Sequence, residues 1–120
     1  MSQAQILNKI KDRFDDCLIA AYGDIATGVP LLTAGSSNIP IQALSEMCTE
    51  AGLTLGTPDA PMFGPDLVRL SVKAQRSVMY CFARAADSDA EAYFFMCTMN
   101  VNVPRFVDSV RCEILQETNQ

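Results

Sequence analysis

The sequence predicts an α+β fold, a five-stranded antiparallel sheet with packed helices in the order α-β-β-α-β-β-β-α. Three observations carry that prediction. Val68-Arg69-Leu70-Ser71-Val72-Lys73-Ala74 alternates apolar and polar residues at period two, the mark of a strand with one buried face. Ser77 to Ala83 and Ala92 to Met99 are almost wholly apolar and rich in aromatics, bounded by breaks at Gln75-Arg76 and Asp87-Ser88-Asp89. Such runs suit strands buried on both faces, so these three segments form an antiparallel meander at the centre of the chain. Residues 40–51 and 103–116 instead space their apolar side chains as helices do.

Taken in order, Ser2 is an N-cap and Gln5 completes a capping box, which starts a helix over 3–14. Ile6, Leu7, Ile10 and Phe14 share one stripe of it. Cys17 to Gly23 and Val29 to Ala34 are short apolar strands joined by a turn between Gly23-Asp24 and Thr27-Gly28, a hairpin with a loop of about five residues. Pro30 has no N–H and belongs at a strand start or an edge. Asn38 and Pro40 open a second helix over 40–51, and Gly52 is its natural stop. Leu53 to Asp66, with three prolines and two glycines, reads as an irregular connection. The meander strands follow at 67–74, 77–85 and 91–99. Asn102 and Pro104 open the last helix, 103–116, whose apolar face carries Phe106, Val107, Val110 and Ile114.

With 120 residues, 49% of them apolar and 19% charged, the chain reads as one globular domain over 1–120. The apolar fraction is high for so small a body, and a subunit interface would absorb the excess. A net charge of −5 opposes binding to nucleic acid, which relies on Lys and Arg, and to an anionic membrane. No apolar run reaches the roughly 18 residues of a membrane span. The N-terminus shows no charged segment leading into an apolar one, so a cytoplasmic location is expected. Five cysteines without a Cys-x-x-Cys pattern, in a reducing compartment, are expected to be free thiols.

Catalytic chemistry is not expected. Histidine is absent, which removes the commonest general base and metal ligand. Phosphate-binding glycine loops and nucleophile elbows are also missing, so neither cofactor nor metal is expected. Asp15-Asp16, neighbours at a helix end, are expected to point apart into water, Asp87 and Asp89 read as turn formers, and Cys81 and Cys97 as core. Tyr80, Phe82, Tyr93, Phe94 and Phe95 line either a ligand pocket or, more simply, a helix-covered core. The residues singled out are interfacial. Ile41, Leu44, Met47, Cys48 and Ala51 span more than the narrow stripe that one sheet face needs, which points to a homodimer through this helix. Arg69, Ser71 and Lys73 share one face of the first meander strand, either as a charged, protected edge or as a partner site.

This order of elements resembles the Roadblock/LC7 family. The resemblance covers nearly the whole chain and rests on the hairpin Cys17–Ala34, the single helix Pro40–Ala51, the meander and the terminal helix. It implies a dimer in which the second helices pack together and the first meander strands pair across the two-fold. It further implies a non-enzymatic scaffold or regulator of a Ras-like small GTPase or of a polarity or motor complex. Two other classes stay open. An acidic dimeric secretion chaperone would place three strands before the middle helix, where two are read here. A PAS- or profilin-like sensory or ligand-binding module would use the same sheet, with the aromatic strands forming its pocket.

Overall fold

A computed structural model describes residues 3–35, 40–55, 62–63, 68–75, 77–84 and 91–118, with backbone alone at 35, 62–63, 68–69, 75 and 116–118. Its elements are α1 (Gln3–Arg13), β1 (Cys17–Asp24), β2 (Val29–Gly35), α2 (Ile41–Leu55), β3 (Met62–Phe63), β4 (Val68–Gln75), β5 (Val78–Arg84), β6 (Glu91–Thr98) and α3 (Val103–Thr118). The strands form one antiparallel sheet in the order β2-β1-β6-β5-β4-β3. The expected order of elements holds, with one addition. The short β3 emerges from the proline- and glycine-rich connection and pairs Met62 with Arg69 and Phe63 with Val68. Two residues carry no readable periodicity, and only the neighbouring edge makes them a strand.

The sheet is covered on both faces, so β5 and β6 read as nearly continuous apolar runs. Along β5, Cys81 and Ala83 point to the face covered by α1 and α3, where they join Tyr93, Phe95, Cys97, Leu70 and Tyr22. Phe82 points the other way, to α2, beside Phe94, Ala92, Ile19 and Ala21. Phe82, Tyr93, Phe94 and Phe95 are all fully buried, each contributing about 2–3 kcal/mol of apolar burial. Phe106 of α3 meets Phe14 and Phe95 edge-on, with ring centroids 4.9 Å and 5.5 Å apart.

Local chemistry sets the turns. Asp24 Oδ1 accepts the N–H groups of Ala26 and Thr27 at 2.9 Å and 3.3 Å, and the Gly28 N–H closes on the Asp24 carbonyl at 2.9 Å. Gly28 has φ 74°, a conformation that glycine adopts without a steric penalty. Between β4 and β5, Ser77 takes φ 68° in a two-residue turn closed by the Gln75–Val78 pair. Asn102 caps α3 by accepting the Arg105 N–H on its side chain at 3.2 Å and the Phe106 N–H on its carbonyl at 2.9 Å. The caps expected from Ser2 and Asn38 lie outside the described residues.

The second helix corrects one expectation. It runs four residues past Ala51 and continues through Gly52. Leu55, fully buried, holds the extra turn on the sheet, and Arg84 Nη2 of β5 donates to the Leu55 carbonyl at 3.0 Å. Gly52 lets this helix meet the hairpin turn, because a Cβ there would lie 2.6 Å from the Ile25 carbonyl oxygen.

Candidate functional site

The two edges of the sheet are where this fold can take a partner. At one end β3 covers only the first two residues of β4, so from Leu70 to Gln75 the outer edge has no strand partner among the described residues. Leu70 and Val72 turn into the core beneath α1 and α3. Ser71 and Lys73 face the α2 side, where Lys73 Nζ lies 2.5 Å from Glu50 Oε1. That ion pair, half exposed at both ends, ties the edge strand to the helix. The side chain of Arg69 lies outside the described residues, and its backbone pairs with Met62.

The other predicted interface residues divide unevenly. Leu44, Met47, Cys48 and Ala51 are buried against the chain's own sheet, at 7% exposure or less. Ile41 alone stays open, 76% exposed. The stripe was wider than a minimal contact needs because α2 crosses the sheet, touching β1, β2, β4, β5 and β6. Its outward face is polar, with Gln42, Glu46 and Thr49 exposed, apart from Leu53 at 67% exposure.

The opposite edge, β2, received no attention as a site in the sequence reading beyond the placement of Pro30. It exposes Val29, Leu31 and Leu32 and, with Ile41, Leu44 and Ser45, borders an open cleft of about 370 Å³. One signal was available: Val29-Pro30-Leu31-Leu32-Thr33-Ala34-Gly35 contains no charged residue.

Asp16 is structural, since its carboxylate accepts from Thr98 Oγ1 at 2.7 Å and its carbonyl from the Thr98 N–H at 2.8 Å. Asp87 and Asp89 lie outside the described residues. Cys17 and Cys97 are cross-strand partners in the core. The hydrogen bond between them raises the Cys97 thiol and lowers that of Cys17. Burial, followed by the nearby Asp24, pushes Cys48 up to about 11. Burial likewise holds Cys81 high. The raised thiols, Cys48, Cys81 and Cys97, stay protonated at neutral pH and serve as packing groups. Among the described residues, no group of three or more Cys, Asp or Glu side chains is arranged to hold a metal. No described helix is long and apolar enough to cross a membrane. The aromatic residues considered for a ligand pocket fill the two cores instead, with Tyr80 half-buried and the other four buried.

An α+β domain with this strand order, a single helix on one face and two on the other, is a Roadblock/LC7-like fold. Solved structures bear this out. A Roadblock/LC7 domain from Streptomyces avermitilis superposes with a TM-score of 0.71 at 10% identity, over 97% of this chain and 94% of that one. MglC from Myxococcus xanthus gives 0.69 at 12% identity, covering 97% and 96% of the two chains. Myxococcus xanthus MglB gives 0.70 at 8% identity, covering 97% and 91%. No family model and no curated protein sequence matches the chain.

Proposed function

We propose that this protein is a non-enzymatic homodimeric scaffold or regulator acting on a Ras-like small GTPase, or within a polarity or motor complex. The observation that carries the proposal is the β4 edge, unpaired from Leu70 to Gln75 among the described residues and anchored to α2 through Lys73 and Glu50. A strand left open in this way is a template for a second copy. Antiparallel pairing of β4 with its symmetry mate needs only one self-complementary patch and joins two sheets into one. The contribution of α2 comes from Leu53 and its polar outer face, because Leu44, Met47, Cys48 and Ala51 are used within the chain. The likeness to MglB and MglC and the resemblance to Roadblock/LC7 proteins support the GTPase reading.

Light scattering across the micromolar range tests the dimer. The wild type is expected at twice its chain mass. Ser71→Lys sets a further cation beside Lys73 where the two edges meet, and is expected to weaken association at least tenfold with unchanged circular dichroism. A wild type that stays monomeric at high micromolar concentration overturns the dimer. The GTPase reading is tested separately by gel filtration with a Ras-like GTPase of the same host, loaded with GDP or a non-hydrolysable GTP analogue. A dimer that binds neither form removes that part of the proposal.

A further inference from the structure

Cys17 of β1 and Cys97 of β6 stand directly opposite each other, and a bulge is what brings them together. Along β1, Ala20 faces α1 and α3 while Ile19 faces α2. Strict alternation would turn position 17 toward α2. The register instead shifts between Cys17 and Ile19, and the extra residue, Leu18, returns Cys17 to the face that Cys97 occupies. The hydrogen bonds around the two cysteines define the kind of pair they make. The Thr98 N–H donates to the Asp16 carbonyl at 2.8 Å, and the Cys17 N–H donates to the Phe14 carbonyl rather than across the strands. Cys17 and Cys97 are therefore a non-hydrogen-bonded antiparallel pair, the kind in which opposing side chains come closest. Such pairs hold their Cα atoms about 4.5 Å apart, within the roughly 4.4–6.8 Å that a disulfide spans. Cys81, the third cysteine of this core, is only diagonal to Cys97, since Cys97 pairs with Met79 and Cys81 with Phe95. Diagonal neighbours lie about 7–8 Å apart, beyond that reach.

We propose that Cys17 and Cys97 form an oxidation site that takes hydrogen peroxide and closes to a disulfide between β1 and β6. Burial selects the oxidant. Cys17 and Cys97 are 0% and 1% exposed, so a bulky disulfide such as that of glutathione cannot line up on either sulfur. A crevice of about 10 Å³, lined by Cys97, Cys81, Val101, Phe106 and Val107, has the room of about one water. Among thiol oxidants hydrogen peroxide comes nearest that size. Cys97, in the crevice wall, is one hydrogen bond from Cys17. Cys17 is the attacking thiol. Its S–H donates to the Ile19 carbonyl at 3.4 Å, and once that proton leaves, the Cys97 S–H and the charge of Lys11 hold the thiolate against burial. The Cys17 sulfur takes one peroxide oxygen as the O–O bond breaks, and the departing hydroxide gains the Cys17 proton to become water. The Cys97 sulfur then attacks the sulfenic sulfur of Cys17. The S–S bond forms, and the second hydroxide leaves with the Cys97 proton as a second water. Two electrons pass from the thiol pair to the peroxide.

The test uses the intact chain with Cys112→Ser, so that the exposed thiol takes no part. After brief treatment with a small excess of hydrogen peroxide near neutral pH, the denatured protein is expected to show two thiols in place of four. Peptide mapping is expected to join the segments that carry Cys17 and Cys97, and dithiothreitol to restore all four thiols. The oxidised chain is expected to melt at least about 5 °C higher, because the bond closes a loop of about 80 residues. Cys97→Ser is expected to leave Cys17 as a sulfenic acid that dimedone traps, and Cys81→Ser to leave the bridge intact. Four thiols after oxidation overturn the proposal, as does a bridge that includes Cys81 or a sulfinic acid formed without any bridge. So does a Cys17–Cys97 bridge that forms no faster in the native protein than in urea, because the fold then contributes nothing to the pairing.

Discussion

Glu113 of α3 and Arg13 of α1 meet at 3.3 Å across 100 positions of sequence, joining the two helices that cover one face of the sheet. The Glu113 side chain is 4% exposed and also faces Lys9 at 3.5 Å, while Arg13 reaches Ser109 as well. Among the described residues Glu113 is the only buried charged one. Arg13→Ala is expected to destabilise the fold by about 1–3 kcal/mol, because it strips a buried carboxylate of its closest cation. Adding Glu113→Leu should recover much of the loss. Urea unfolding of the single and double variants measures both steps, and additive losses would mean that the two residues are not coupled.

Helix propensity and packing make opposite predictions at Gly52. Alanine is the better helix former by roughly 1 kcal/mol. The added methyl would meet the Ile25 backbone oxygen at 2.6 Å, and a backbone atom has little room to give. Gly52→Ala is therefore expected to lower stability by about 1–3 kcal/mol, the usual scale of overpacking. A rise in the thermal midpoint would show that the hairpin turn moves aside freely.

Leu44 and Ile41 separate the uses of the second helix. Leu44→Glu places a charge in the core beneath α2 and is expected to unfold the protein, at a cost of several kcal/mol. Ile41→Glu, on an exposed residue, is expected to stay within about 0.5 kcal/mol of wild type. Circular dichroism with thermal melting distinguishes the pair.

The thiols give a count and a pH dependence. Cys112 is exposed, whereas Cys17, Cys48, Cys81 and Cys97 are buried and unpaired by disulfides. Titration with a thiol reagent should find one fast group in the native protein and five after denaturation. Cys48 ionises near 11 in the folded chain, above the roughly 8.5 of an unfolded thiol. A group raised in the folded state stabilises below its unfolded value and loses that contribution as pH climbs toward the folded one. Stability is thus expected to fall between about pH 8.5 and 11. The fall should be smaller in Cys48→Ala, measured by urea midpoints at pH 7.5 and 10.

Periodicity is a local property, and whatever depends on it was legible in the sequence by itself. The alternation in Val68 to Ala74 placed β4, the two apolar runs placed β5 and β6, and the helical spacing of Ile6, Leu7 and Ile10 placed α1. The fold followed because each pattern marks which faces of its element are buried. Only the tertiary structure decided what each face meets. The stripe Leu44, Met47, Cys48 and Ala51 was visible as apolar, but spacing marks a face without naming its neighbour, and the neighbour is the chain's own sheet. Arg84 satisfying the end of α2, and Lys9 with Arg13 holding Glu113, join groups whose separation in sequence carries no pattern. The bare edge of β2 became significant only when the strand order placed it last in the sheet, since the same seven residues between two other strands would be core.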